Sequence, residues 1–258
     1  MFLAIRPMLE RRRAAWPAVA ELIPTFFATS TATWAVAWAA CLLCATAAQA
    51  QPAAWAEWPP QPTVIAHRGA SALRPEHTLA AYARAIQDGA DLVEPDVVIS
   101  RDGVLVVRHE NTLAVVNAAG KVTEATTDVA DHPEFAARRT TKKVDGQTIS
   151  GWFVEDFTLA ELKTLRARER LPALRPANLL YDREFEIPTL QEVIDLTSSM
   201  SAENGRTVGI YPETKHPAYF RALGLPLEEP LVELLRQNGW NDDDAPVFIQ
   251  SFDAASLQ

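Results

Sequence analysis

The chain has 258 residues, enough for one large domain or two small ones. Apolar residues make up 48% and charged residues 22%, the balance of an ordinary globular protein. It carries 24 Lys and Arg against 33 Asp and Glu, a formal net charge of −9. The first 50 residues hold Arg6, Arg11, Arg12 and Arg13 against Glu10 and Glu21, so the remainder carries 20 basic side chains against 31 acidic. That balance excludes a nucleic-acid binder, which needs a basic face. Phosphate can still be bound at one local cationic spot. The only cysteines, Cys41 and Cys44, lie in the apolar N-terminal stretch. Beyond residue 50 there is therefore no disulfide, thiolate metal site or cysteine nucleophile.

The N-terminus has the pattern of an export signal. Arg11, Arg12 and Arg13 give a positive start, and no charged side chain follows from Leu22 to Ala56. Trp34 to Ala47 is dense in Ala, Trp, Leu and Val, and Ala48-Gln49-Ala50 is an A-x-A cleavage pattern. These features predict a signal over residues 1–50 and a mature start at Gln51, hence a periplasmic or secreted protein. The alternative is an uncleaved anchor, since the apolar run approaches the roughly 20 residues that span a bilayer. Either way, membrane contact is expected only through this segment. Residues 51–62, rich in Pro, Ala and Trp, read as a linker, and a domain is expected over 63–258.

Val64-Ile65-Ala66 is a short apolar strand running into His67. After a loop, Thr78 is a candidate N-cap for a helix whose Leu79, Tyr82 and Ile86 share a face and which stops at Gly89. Leu92 to Ile99 is the next strand, Asp102-Gly103 a tight turn, and Val104 to Val107 a strand leading to His109. Residues 111–185 show weak periodicity, no strand signal, and one helix from about Thr158 to Arg168. So long a connection is expected to be an inserted subdomain. Helices are expected over Thr189 to Met200 and Pro226 to Gln237, with strands at Thr207 to Tyr211 and Val247 to Ile249.

Strands alternating with helices predict a parallel α/β architecture. His67, His109, Glu213 and Gln250 each follow a strand, as active-site residues do in a TIM barrel. About five strands are countable, fewer than a complete barrel of eight, and the chain stops where a helix should begin. A barrel lacking its last strands is expected.

Glu94 and Asp96 are two apart on a strand, so both point to one face. Paired carboxylates repel unless a cation lies between them or one is protonated. An all-oxygen site suits a hard cation such as calcium or magnesium, whereas two solvated strand carboxylates need none. A two-residue hairpin at Asp102-Gly103 sets Arg101 opposite Val104 and, counting back, Asp96 opposite His109. His67 alone could be a structural histidine, but Arg68 beside it can grip two phosphate oxygens and Gly69 permits close backbone approach. Glu76 could orient a histidine or coordinate the ion, and His77 could cap the helix. Phosphodiester hydrolysis needs an acid, a base and positive charge on the phosphoryl oxygens. Histidines suit the first two tasks near neutral pH. Glu213 is either a loop carboxylate or a third ligand, with Lys215 two residues on. Trp152 and Trp240 are expected to pack, and Arg138-Arg139 and Lys142-Lys143 to form a solvated face. There is no G-x-S-x-G elbow, Walker loop, G-x-G-x-x-G or H-E-x-x-H.

Val64-Ile-Ala-His-Arg-Gly-Ala-Ser, Pro75-Glu-His-Thr, Gly89-Ala-Asp-Leu-Val-Glu-Pro-Asp, Asp102-Gly and Val106-Val-Arg-His resemble the glycerophosphodiester phosphodiesterases. Gly209-Ile-Tyr-Pro-Glu-Thr-Lys-His and Gln250-Ser-Phe-Asp extend the resemblance. It implies a TIM (β/α)8 barrel with a small insertion, and one divalent ion, calcium first and magnesium second, on Glu94, Asp96 and Glu213. It implies His67 and His109 as the acid–base pair, Arg68 and Lys215 on the phosphate, and Glu76 beside the same site. The implied partner is a small-molecule glycerophosphodiester such as glycerophosphocholine, split to glycerol 3-phosphate and an alcohol. The insertion and the export signal resemble the periplasmic branch. Glu110 departs from the pattern, which usually has Asp after this histidine. Two other readings stand beside this one: a related barrel phospholipase acting on intact lipid, and an inactive barrel that binds phosphodiesters.

Overall fold

The computed structural model describes residues 58–258. The expected export segment, residues 1–50, lies outside them, as does most of the expected linker. No helix among the described residues is long and apolar enough to cross a membrane.

Strand β1 is Ile65–His67. Helix α1, Leu79–Gln87, starts where expected: the Thr78 hydroxyl accepts the Ala81 N–H at 3.1 Å, satisfying one orphan donor of the first turn. Its inner face buries Ala81, Tyr82, Ala85 and Ile86. Each large apolar side chain so buried stabilises by about 1.5–3 kcal/mol. The loop before it depends on Gly69, at φ +79°, where an added Cβ would stand 2.7 Å from the Ala81 carbonyl carbon. Such a contact would push helix and loop apart.

The strand expected over residues 92–99 is two strands, β2 (Leu92–Glu94) and β3 (Asp96–Ile99). Pro95 divides them because it has no N–H to give to the ladder. Strand β4, Leu105–Val107, returns antiparallel to β3. Its register corrects the expected one. Ser100 N–H donates to Val104 O at 2.9 Å and Gly103 N–H to Ser100 O at 3.0 Å, with Gly103 at φ +81°. The connection is thus a three-residue loop with a left-handed glycine, not a two-residue turn. Val97 faces Val107, and Arg108 N–H donates to Asp96 O at 3.0 Å, so Arg108 rather than His109 lies across from Asp96. A slip of one residue turns the side chains to the other face.

Residues 111–185 carry more structure than their weak periodicity suggests. Strands β5 (Thr112–Val116), β6 (Val122–Ala125), β7 (Thr140–Val144) and β8 (Gln147–Phe153) form an antiparallel sheet in the order β6-β5-β8-β7. Both faces of β6 and most of β7 are exposed, so neither strand shows apolar alternation. Helix α2 is only Leu159–Leu162, shorter than expected. The chain then pairs elsewhere: Ala167 N–H donates to Phe185 O at 2.7 Å and Arg168 N–H to Thr126 O at 2.9 Å. Tertiary pairing ends the helix, and Leu162 and Leu165 are buried.

Helix α3, Leu190–Asn204, is closed by a capping box between Thr189 and Glu192 and ends at left-handed Gly205. Strands β9 (Gly209–Ile210) and β10 (Glu213–Thr214) follow, split by Pro212 as β2 and β3 are split by Pro95. Helix α4, Pro217–Ala222, was not foreseen; helix α5 is Glu228–Gln237. Strand β11 is Gln250–Ser251, just beyond the expected strand, of which Val247 bridges to Ile210.

The β1, β2 and β9 ladder is parallel, and so are the pairings of β3 with β10 and β10 with β11. One row in each of these two sheets matters for function. His67 pairs with Glu94, while Asp96, Glu213 and Gln250 are successive Cα partners. Helices α1 and α3 pack together, and the core between helices and strands includes Tyr82, Val93, Val97, Val193 and Ile194.

Candidate active site

The two rows bring three acidic side chains into one buried cluster. Glu94, Asp96 and Glu213 each present an oxygen within 4.8 Å of the others, and all three are buried. Gln250 Nε2 donates to Glu213 Oε2 at 2.9 Å and to Glu94 Oε1 at 3.2 Å. Lys215 Nζ stands 2.5 Å from Glu213 Oε1 and 3.2 Å from Asp96 Oδ1. Glu213 is thus a buried strand carboxylate rather than a solvated loop one.

Arg68 lies against the cluster. Its backbone N–H donates to Glu94 Oε2 at 3.0 Å, and its side-chain Nε donates to His67 Nε2 at 3.2 Å. The guanidinium also lies 3.4 Å from Glu76 and 3.5 Å from Asp96. His109 is close enough for its charge to bear on both Asp96 and His67. The cluster, both histidines and both cationic side chains foreseen for the site are thus gathered in one place.

Sequence reasoning missed the support beneath. His77 does not cap the helix; it is buried, with Nε2 2.7 Å from Asp96 Oδ2 and Nδ1 2.8 Å from the Tyr82 hydroxyl. The left-handed backbone at His77, φ +57°, turns the ring inward, and Pro75-Glu-His-Thr gave no hint of it. Glu76 neither orients a histidine nor joins the acidic cluster. Arg170 Nε donates to its Oε1 at 2.8 Å and Arg175 to its Oε2 at 3.0 Å, besides Arg68. Those partners lie 94 and 99 residues away in sequence, so no local signal could find them. Trp152 packs as expected, its Nε1 donating to Phe135 O. Arg138 and Lys142 are not simply solvated: Arg138 pairs with Glu161, and Lys142 with Glu155 and Asp156.

The electrostatics of the cluster call for a cation. Burial, then the neighbouring Asp96 charge, pushes the Glu94 carboxyl up to about 8. Burial likewise raises Glu213, against the pull of Lys215. For Asp96, burial is outweighed by the His77 hydrogen bond and the Lys215 charge, which hold it below the usual carboxylate range. Desolvation and the adjacent Arg68 charge lower the His67 imidazole, favouring its neutral, proton-accepting form. Asp96 Oδ1 is buried with no hydrogen-bond partner, since Lys215 approaches it out of alignment. A buried carboxylate oxygen left without a donor, beside two oxygens of like kind, fits a hard divalent cation.

Burial opposes ionisation of Glu76, but the Arg170 hydrogen bond, the His77 charge and Arg175 hold its carboxyl well below the ordinary value. A depressed folded value gives stability that is complete above the unfolded pKa, about 4.3, and is lost as pH falls through the folded one. Glu76→Gln is expected to cost about 3–5 kcal/mol at pH 7, with the gap to the parent narrowing below about pH 4. Urea midpoints at pH 7 and pH 3 check this; an equal gap at both would contradict it.

Residues 67–258 match the glycerophosphoryl diester phosphodiesterase family. A glycerophosphodiester phosphodiesterase of Arabidopsis thaliana is 41% identical over 209 residues, covering 76% of this chain and 52% of that protein. One of Haemophilus influenzae is 30% identical over 203 residues, covering 76% and 50%. A solved structure from Silicibacter pomeroyi bearing the same family name superposes with a TM-score of 0.56 at 25% identity, covering 76% of this chain and 59% of that one. The chain spans about half the length of the curated relatives it matches.

Proposed function

Because the chain belongs to the glycerophosphoryl diester phosphodiesterase family, whose fold is a TIM barrel, we propose that it hydrolyses glycerophosphodiesters to glycerol 3-phosphate and an alcohol. The observation that carries the reading is the convergence of two histidines, an arginine and a lysine on three buried carboxylates.

Glu94, Asp96 and Glu213 would hold one divalent cation, calcium in preference to magnesium because three carboxylates on separate strands suit a flexible oxygen shell. Bound there, the ion would supply fixed positive charge for the phosphoryl oxygens. Arg68 and Lys215 would hold the phosphate from either side of the acidic cluster. His67, with Nε2 already accepting a hydrogen bond and its ionisation depressed, is the base. It would take the proton of the attacking hydroxyl or water as the new P–O bond forms. His109 would give a proton to the leaving alcohol oxygen as the old P–O bond breaks. Residues 111–185, with their own antiparallel sheet, would be an insertion in the barrel that reaches the site through Arg170 and Arg175.

Product analysis with glycerophosphocholine and with phosphatidylinositol vesicles tests the substrate class. Glycerol 3-phosphate released from the soluble diester alone is expected. Turnover of the vesicles alone would replace this reading with the phospholipase one. The A-x-A pattern at Ala48-Gln49-Ala50 supports export with cleavage before Gln51. Mass spectrometry of the secreted protein should give that N-terminus, and a retained leader would contradict it.

A further inference from the structure

Four side chains outside the acidic cluster form a chain of contacts that no step above uses. Glu110 Oε1 stands 2.9 Å from His109 Nδ1, and its Oε2 stands 2.8 Å from His216 Nε2. His216 Nδ1 in turn lies 2.6 Å from Asp145 Oδ2. Acid and imidazole alternate along the whole path, from the candidate proton donor to the tip of the β7–β8 hairpin.

Two points on the path, Asp145 at its far end and His216 within it, have unusual backbone. Asp145 and Gly146 take φ +45° and +84°, so the hairpin tip is an Asp-Gly turn of the kind that twists with its strands. His216 has φ 51° and ψ 42° immediately before Pro217. A non-glycine residue there costs on the order of 1–3 kcal/mol and persists only where its surroundings hold it. The two carboxylates on its ring are such a hold. Burial works against a charged His216, but the hydrogen bonds and charges of Glu110 and Asp145 outweigh it and raise its pKa. For Glu110, burial is outweighed by the close His109 ring and the His216 hydrogen bond, which hold its carboxyl below the ordinary value.

We propose that Glu110 and His216 are positioning residues for His109, with Asp145 anchoring the far end on the hairpin. The inference rests on the role of His109 in the proposed hydrolysis. A carboxylate at Nδ1 keeps the proton on that nitrogen and leaves Nε2 to face the phosphate. An isolated imidazole prefers the opposite tautomer, so the preference has to be imposed. Each oxygen of the Glu110 carboxylate serves one ring.

The test combines kinetics with ring ¹⁵N NMR of the histidines, the His109 signal being assigned by its loss in His109→Ala. Glu110→Ala is expected to lower kcat on glycerophosphocholine about 10–100-fold with KM little changed, and to shift neutral His109 to the Nε2–H tautomer. Glu110→Asp should restore the Nδ1–H tautomer and most of the kcat, which also guards against a misfolded alanine variant. His216→Ala should lower kcat in the same direction, less steeply, again with KM held. An unchanged tautomer in Glu110→Ala, or a kcat equal to the parent's, overturns the proposal. A parent that binds calcium yet releases no product contradicts the proposed function instead, and the tautomer alone then decides the role of Glu110.

Discussion

Replacing His67 or His109 by alanine is expected to lower kcat on glycerophosphocholine about 10²–10⁴-fold, the range lost with a general acid or base. Neither ring is part of the core. His67 is exposed at the end of β1 and His109 is only half-buried, so the urea midpoint should change little. The small stability change separates this effect from a general loss of structure. The double variant should lose little more than the worse single one, because both groups serve one transition state. Turnover near that of the parent in either single variant would contradict the assignment. The pair is asymmetric. His67 already accepts from Arg68, and partial burial of the ring with the Arg68 charge lowers its pKa and favours the neutral form. Its replacement should therefore weigh most on the step that removes a proton.

Asp96→Ala should have the other large effect, on two observables together. Asp96 is fully buried, holds His77 at 2.7 Å, and lies 3.2 Å from Lys215 and 3.5 Å from Arg68. Removing one member of a buried charged network typically costs about 3–5 kcal/mol, since the partners stay buried without it. Relief of the repulsion that raises Glu94 offsets part of that cost without cancelling it. The same change removes the central member of the acidic cluster, so calcium binding followed by calorimetry should be lost. Unaltered calcium affinity and an unaltered urea midpoint would together rule out both roles.

The parts of the site written into short stretches of chain were legible. Glu94 and Asp96 share a face because two residues on a strand always do, and Pro95 between them changes only the ladder. Thr78 was readable as an N-cap, and Arg68 and Lys215 as cationic side chains just beyond strand ends. What failed depended on a single residue of loop length or on distant partners. Asp102-Gly103 carries the signature of a two-residue turn, yet Ser100 closes a three-residue one, so Asp96 faces Arg108. The β6 and β7 strands are stabilised by pairing rather than by an apolar face, and pairing leaves no pattern in one sequence. His77, Arg170 and Arg175 matter only through partners that the fold brings to them.

The proposed hydrolysis needs a cation on the buried carboxylates beside the two histidines. It is tested most directly by glycerol 3-phosphate release from glycerophosphocholine by the purified chain, with calcium, then with EDTA, then with calcium restored. Release that depends on calcium, stops with the chelator and returns on re-addition is the predicted result. Release that continues unchanged in excess EDTA, or none from a folded chain that binds calcium, would contradict it.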